Sequence, residues 1–188
     1  MTTRKERAAS RRRQQKFATL VFVVGGLLVI IAVGFLLSSK HSNTSVGPAQ
    51  VGKPLGNFSL TDTTGKTVHL SDYAGQTVLV NAWATWCPPC RAEMPDLNTY
   101  YQTHHNKGFM ILAVNAGDSE SDAAAFANQK SLGFPVLLDP DLQLLTRLGI
   151  HSFPTSILVG SDGLVKTIHI GMFTPESLEN EVTPYLTK

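Results

Sequence analysis

The chain has 188 residues, of which 43% are hydrophobic and 16% charged, with only two cysteines. That balance excludes collagen-like, coiled-coil and disordered classes, and two cysteines are too few for a disulfide-stapled miniprotein or an all-cysteine zinc site. The net charge of +2 averages two unlike parts: residues 1–37 carry seven basic side chains and one acid, Glu6, while the remainder carries nine basic and 13 acidic ones. Such an acidic body offers no basic surface for nucleic acid.

In chain order, residues 1–16 form a basic tail, expected to be cytoplasmic. Phe17 to Leu37 follow as 21 uncharged, mostly apolar positions. As a helix this run would be about 31 Å long, close to the ~30 Å hydrocarbon core of a bilayer. With the basic cluster directly before it, the positive-inside rule predicts a single-pass signal-anchor in the cell membrane. The N-terminus would stay in the cytoplasm and the rest would lie on the extracytoplasmic side. A cleaved signal peptide would have a shorter apolar core and a small-x-small site, which Leu36-Leu37-Ser38-Ser39-Lys40 lacks. Residues 38–54 are polar and contain Gly and Pro, which predicts a flexible tether of roughly 20–25 Å root-mean-square span. The globular domain is expected over residues 55–188.

Within that domain the pattern is α/β. Phe58–Leu60 and Thr67–Leu70 flank Asp62-Thr63-Thr64-Gly65, which predicts a hairpin. Thr77–Trp83 reads as a strand buried on both faces. A helix should open near Pro88, since proline suits the first helical turn, and Pro95 should kink it. Gly108–Asn115 predicts a second buried strand, Ser121–Ser131 a helix, Phe134–Leu138 a third strand, and Asp141–Leu148 a short helix stopped by Gly149. Thr155–Val159 and Leu164–Ile170 bracket the turn Ser161-Asp162-Gly163. Thr174-Pro175-Glu176 supplies the N-cap, N1 proline and first-turn acid of a final helix.

Cys87-Pro88-Pro89-Cys90 falls where a buried strand ends and a helix begins. A thiolate is the nucleophile in disulfide exchange, and a helix N-terminus favours that charged form. The first sulfur is expected to be accessible and the second to sit inward, ready to resolve a mixed disulfide. Pro88 and Pro89 lack amide hydrogens, so fewer donors face the thiolate than with other inserts. A purely structural bridge and a metal site are the competing readings. Structural bridges usually close longer loops. A metal would need two further ligands, and His41, His69, His104, His105, His151 and His169 show no ligand spacing. His104-His105 is expected at an exposed helix end. Asn81 lies on the strand before the cysteines, and Glu93 follows Cys90 by three positions, on the same helix face.

The stretch Val80–Cys90 resembles the active-site strand and turn of thioredoxin-like proteins. Pro95 is similar to that family's helix-kinking proline, and Ser152-Phe153-Pro154-Thr155 to its cis-proline loop. Over residues 50–187 the chain more narrowly resembles the membrane-anchored ResA/TlpA/CcmG (DsbE)-like branch. The marks are the N-terminal hairpin, Leu70–Gly75, an αβ insert around residues 116–138, and Cys90-Arg91-Ala92-Glu93-Met94-Pro95. This resemblance implies a thioredoxin-like fold with an N-terminal β-hairpin and central αβ insert, preceded by one transmembrane helix. It also implies a thiol-disulfide oxidoreductase in which Cys87 attacks, Cys90 resolves and Glu93 moves a proton. General thioredoxins carry a buried aspartate where this chain has Asn81, and in the ResA-like branch the glutamate belongs to the active site. By the same resemblance, the Cys87 turn (Trp86, Pro88) and the Phe153-Pro154 loop clamp an extended substrate segment.

The implied client is the Cys-x-x-Cys-His disulfide of exported apocytochrome c, reduced for heme attachment. The implied electron source is a transmembrane thiol donor of the CcdA kind. The exchange itself needs no heme, metal or nucleotide. Rival readings are a reductase for another exported client, such as a spore-envelope or cell-wall protein, and a disulfide-forming oxidant. A thiol peroxidase would usually show Pro-x-x-x-Thr-x-x-Cys, but Val80 and Ala84 stand at those places. A copper-delivery module typically uses Cys-x-x-x-Cys, one residue longer than the spacing here.

Overall fold

The computed structural model describes residues 46–186. The basic tail, the apolar run 17–37 and residues 38–45 of the expected tether lie outside them. Among the described residues no helix is long and apolar enough to cross a membrane.

A five-stranded sheet forms the centre. Its strands are β3 (Thr77–Trp83), β4 (Phe109–Ala116), β5 (Val136–Asp139), β6 (Thr155–Val159) and β7 (Val165–Ile170), in the order β5-β4-β3-β6-β7. β3 is parallel to β4, which is parallel to β5; β6 runs antiparallel to both β3 and β7. Every residue of β3 is buried, as a central strand with neighbours on both edges and cover on both faces requires. A short antiparallel hairpin, β1 (Ser59–Thr61) with β2 (Thr67–His69), precedes the sheet. The Asp62 carboxylate ties its turn by accepting from the amides of Thr64 and Lys66. The hairpin reaches the β5 edge through the Thr63 amide, which donates to the Val136 carbonyl.

Among the described residues four helices follow the expected order: α1 (Pro88–His104), α2 (Glu120–Lys130), α3 (Gln143–Arg147) and α4 (Pro175–Glu181). Ser119 caps α2, and Thr174 caps α4 in a capping box with Ser177. α3 starts two residues later than the sequence predicts. Leu142 adopts a left-handed conformation (φ 54°), and the buried Asp139 carboxylate accepts from the amides of Leu144 and Leu145, capping the helix from the end of β5. Gly149, at φ 77°, ends the segment as expected.

Two other expectations change. Residues 49–54, read as the end of a tether, are bonded to the domain. Ala49 donates to the Leu148 carbonyl, Gly52 donates to the Val165 carbonyl, and the Val165 amide donates to the Lys53 carbonyl. This segment covers part of the β7 edge, which would otherwise offer open pairing positions. His104 is buried rather than exposed, because α1 places it one turn beyond Tyr100, with the rings 4.3 Å apart and Glu179 3.8 Å from its Nε2.

Candidate active site: a dithiol turn over a buried acid

The Cys87 and Cys90 sulfurs are bonded to each other, 2.03 Å apart. Cys87 is the N-cap residue of α1, with Pro88 and Pro89 at N1 and N2. Ordinarily an N-cap side chain accepts from the amides of N2 or N3. Here N2 is a proline, so the Cys87 Sγ accepts from the Cys90 amide, at 3.3 Å. Cys90 is fully enclosed and Cys87 is 4% exposed, so in the bonded form the expected accessible sulfur shows only at its margin. Pro88 and Pro89 face solvent.

Two flanking loops hold this turn. The Asp118 carboxylate, just after β4, accepts from the Thr85 amide and hydroxyl and from Asn115 Nδ2, each at 2.7 Å. Thr85 lies two residues before Cys87, so the approach to the cysteines is fixed by a loop 33 residues away. On the other side the Phe153–Pro154 bond is cis, as the resemblance implied. Trp86, 62% exposed, meets Phe153 edge-to-face with centroids 5.8 Å apart. The cysteine turn and the cis-proline loop therefore share one surface. Pro154 itself is buried, and its carbonyl accepts from the Gly171 amide at 2.9 Å. That bond brings Ile170 and Met172, both exposed, beside the same mouth. Neither was singled out in the sequence, because nothing local distinguishes a large apolar residue at a strand end from core.

Beneath the turn lies Glu93, completely buried. Its Oε1 accepts from Asn81 Nδ2 and its Oε2 from the Phe173 amide, both at 2.8 Å. Burial disfavours the carboxylate and pushes its pKa up to about 7, against the opposing pull of these two donors and of His169. Asn81 Nδ2 also donates to Ser156 Oγ, at 2.9 Å, while its Oδ1 has no partner among the described residues. This set can serve both protonation states. The carboxylate takes the two donors as observed. An acid proton on Oε1 would instead meet Asn81 turned over, its Oδ1 accepting from Glu93 and from the rotated Ser156 hydroxyl. The sequence marked Asn81 and Glu93, but not Ser156 or Phe173, whose contributions depend on sheet register and on a loop 80 residues from Glu93.

A bonded Cys-x-x-Cys pair at a helix start, over an acid that titrates near neutrality, is equipped for thiol-disulfide exchange. The sequence pattern of the redoxin family (Redoxin) matches residues 50–184. The chain belongs to the redoxin family. This redoxin is 35% identical over 156 residues to the thiol-disulfide oxidoreductase ResA of Geobacillus thermodenitrificans, covering 83% of this chain and 89% of that one. To ResA of Bacillus thuringiensis subsp. konkukian it is 37% identical over 169 residues, covering 88% and 97%. Among solved structures it is similar to one described as a thiol:disulfide interchange protein DsbE from Chlorobium tepidum. The TM-score there is 0.69 at 34% identity, covering 73% of this chain and 98% of that one. Within its family this redoxin is thus a thiol-disulfide oxidoreductase of the ResA/DsbE-like kind, with a thioredoxin-like fold.

Proposed function

We propose that this redoxin works as a reductant outside the cytoplasm, anchored by residues 17–37, and that its client is the Cys-x-x-Cys-His disulfide of apocytochrome c. The observations that support a protein client are the exposed Trp86 set against Phe153 beside the cysteine turn, and the exposed Ile170 and Met172 either side of Gly171, whose amide bonds the Pro154 carbonyl; this apolar exposure suits an extended segment rather than a small disulfide. The cytochrome assignment is supported by resemblance to the ResA/CcmG-like branch. The location is supported by the basic tail ahead of the 21-residue apolar run.

In the reduced protein the Cys87 thiolate attacks one client sulfur, and the other client sulfur leaves as a thiolate. Glu93, as a carboxylate, takes the proton from Cys90. The Cys90 thiolate then attacks the Cys87 sulfur, releasing the second client sulfur. The client gains two electrons and, from solvent, two protons; the Cys87–Cys90 bond observed here is the oxidised product. Returning it to the dithiol outside the cytoplasm requires two imported electrons, for which a transmembrane thiol donor of the CcdA kind is the fitting partner.

Trapping tests the reading. In cells, Cys90→Ala should stall the mixed disulfide on Cys87 with apocytochrome c attached through its Cys-x-x-Cys-His. Capture of other exported proteins alone would reassign the client, and capture of cytoplasmic proteins alone would overturn the location.

A further inference from the structure

Three residues line up across the sheet. Asn81 of β3 pairs with Ser156 of β6, and Ser156 pairs with His169 of β7. Directly opposed residues of antiparallel strands project to the same face, so His169 ends the row that begins at the Glu93 partner. Its ring stacks on that of Phe173, with centroids 4.0 Å apart and planes 14° from parallel. Phe173 is fully buried, and its amide holds Glu93 Oε2. On the outer side, His169 Nδ1 lies 3.1 and 3.2 Å from the two Glu181 oxygens. The His169 side chain retains 20% exposure, so solvent protons reach it.

We propose that His169 is a positioning residue for Glu93: clamped by Glu181 and stacked on Phe173, it fixes the Phe173 amide against the carboxylate and sets a protonatable ring behind it. This rests on the proton-accepting role proposed for Glu93. The groups around His169 come from every element packed against it. Glu181 of α4 is its direct partner, Glu93 of α1 stands behind Phe173, and β6 supplies the neutral Ser156. On β7 itself Lys166 is bound to Asp162 at 2.7 Å, while Glu179 of α4 is engaged by Thr183 and faces His104. When protonated, the ring favours the Glu93 carboxylate; burial works the other way.

Two replacements separate charge from packing. His169→Phe keeps an aromatic ring on Phe173 without a charge, and His169→Arg keeps a planar cation that can stack there and pair with Glu181 permanently. In the full chain, solubilised in detergent, the Glu93 carboxyl carbon is followed by NMR against pH, alongside the pH profile of exchange with a Cys-x-x-Cys-His disulfide peptide. The expected result is a Glu93 midpoint raised by about 0.5 pH unit in His169→Phe and lowered in His169→Arg, with the exchange profile following each. Equal midpoints in all three proteins would overturn the proposal. Midpoints that move in opposite directions while the exchange profile stays fixed would uphold it and instead refute the role given to Glu93.

Discussion

Glu93 and Phe173, eighty residues apart in the chain, meet at 2.8 Å where the Phe173 amide donates to the Glu93 carboxylate. Two residues earlier in the same segment, Gly171 donates to the carbonyl of the cis-proline Pro154. One short strap between β7 and α4 therefore touches both the client-facing loop and the buried acid.

Glu93 should make stability fall as pH rises. Its folded pKa, about 7, lies above the ordinary 4.5, so the folded state binds the extra proton between these values. The stabilisation is complete below about 4.5 and is lost as pH rises through 7, to a total of about 3 kcal/mol. Denaturant unfolding of the oxidised protein at pH 5 and pH 8 should show most of this difference. In Glu93→Gln the pH dependence should flatten, with Asn81 turned over to accept from the new amide.

The same acid should shape the kinetics. Below about 7 Glu93 already holds a proton and cannot accept one from Cys90, so resolution slows as pH falls. Glu93→Gln should lower the rate by about 10²-fold at pH 8 and remove the inflection. Stopped-flow exchange from pH 5 to 9 reads both, and an unchanged profile would refute the role.

Asp118 should matter to the cysteine turn without touching it. Asp118→Ala strands the Thr85 amide and hydroxyl and Asn115 Nδ2. A loss of about 2 kcal/mol in unfolding free energy is expected, together with faster reduction of the Cys87–Cys90 bond by dithiothreitol. Asp118→Asn, which keeps one acceptor oxygen, should recover part of both.

The apolar mouth predicts a split between clients. Trp86→Ala and Met172→Ala should each raise KM for a disulfide-bearing peptide by about tenfold, the effect of losing roughly 1.4 kcal/mol of contact. The rate with a small aromatic disulfide should stay unchanged. Equal losses on both substrates would indicate damage to the turn itself.

The central strands and the cysteine turn at a helix start were legible in the sequence, because each depends on short-range pattern, an apolar run and Pro at N1; the cis-proline loop was implied by resemblance. The Asp162-Gly163 turn was legible for the same reason, with Gly163 at φ 78°. What escaped depends on register and distant partners. Glu93 was marked, but Ser156 and the Phe173 amide, which complete its surroundings, come from sheet register and a loop far along the chain. His104 reads as a helix-end polar residue until Tyr100 and Glu179 surround it. The start of α3 moves because Asp139, from the preceding strand, takes the amides of Leu144 and Leu145.

The two prolines between the cysteines also bear on the direction of electron flow. With Pro89 at N2, the helix start offers Cys87 the single amide of Cys90. A thiolate so sparsely solvated is a costly resting state, and a dithiol whose open form is poorly stabilised gives up its electrons readily. Pro89→Ala would return one N–H to the sulfur, and equilibration against glutathione should then show a weaker electron donor.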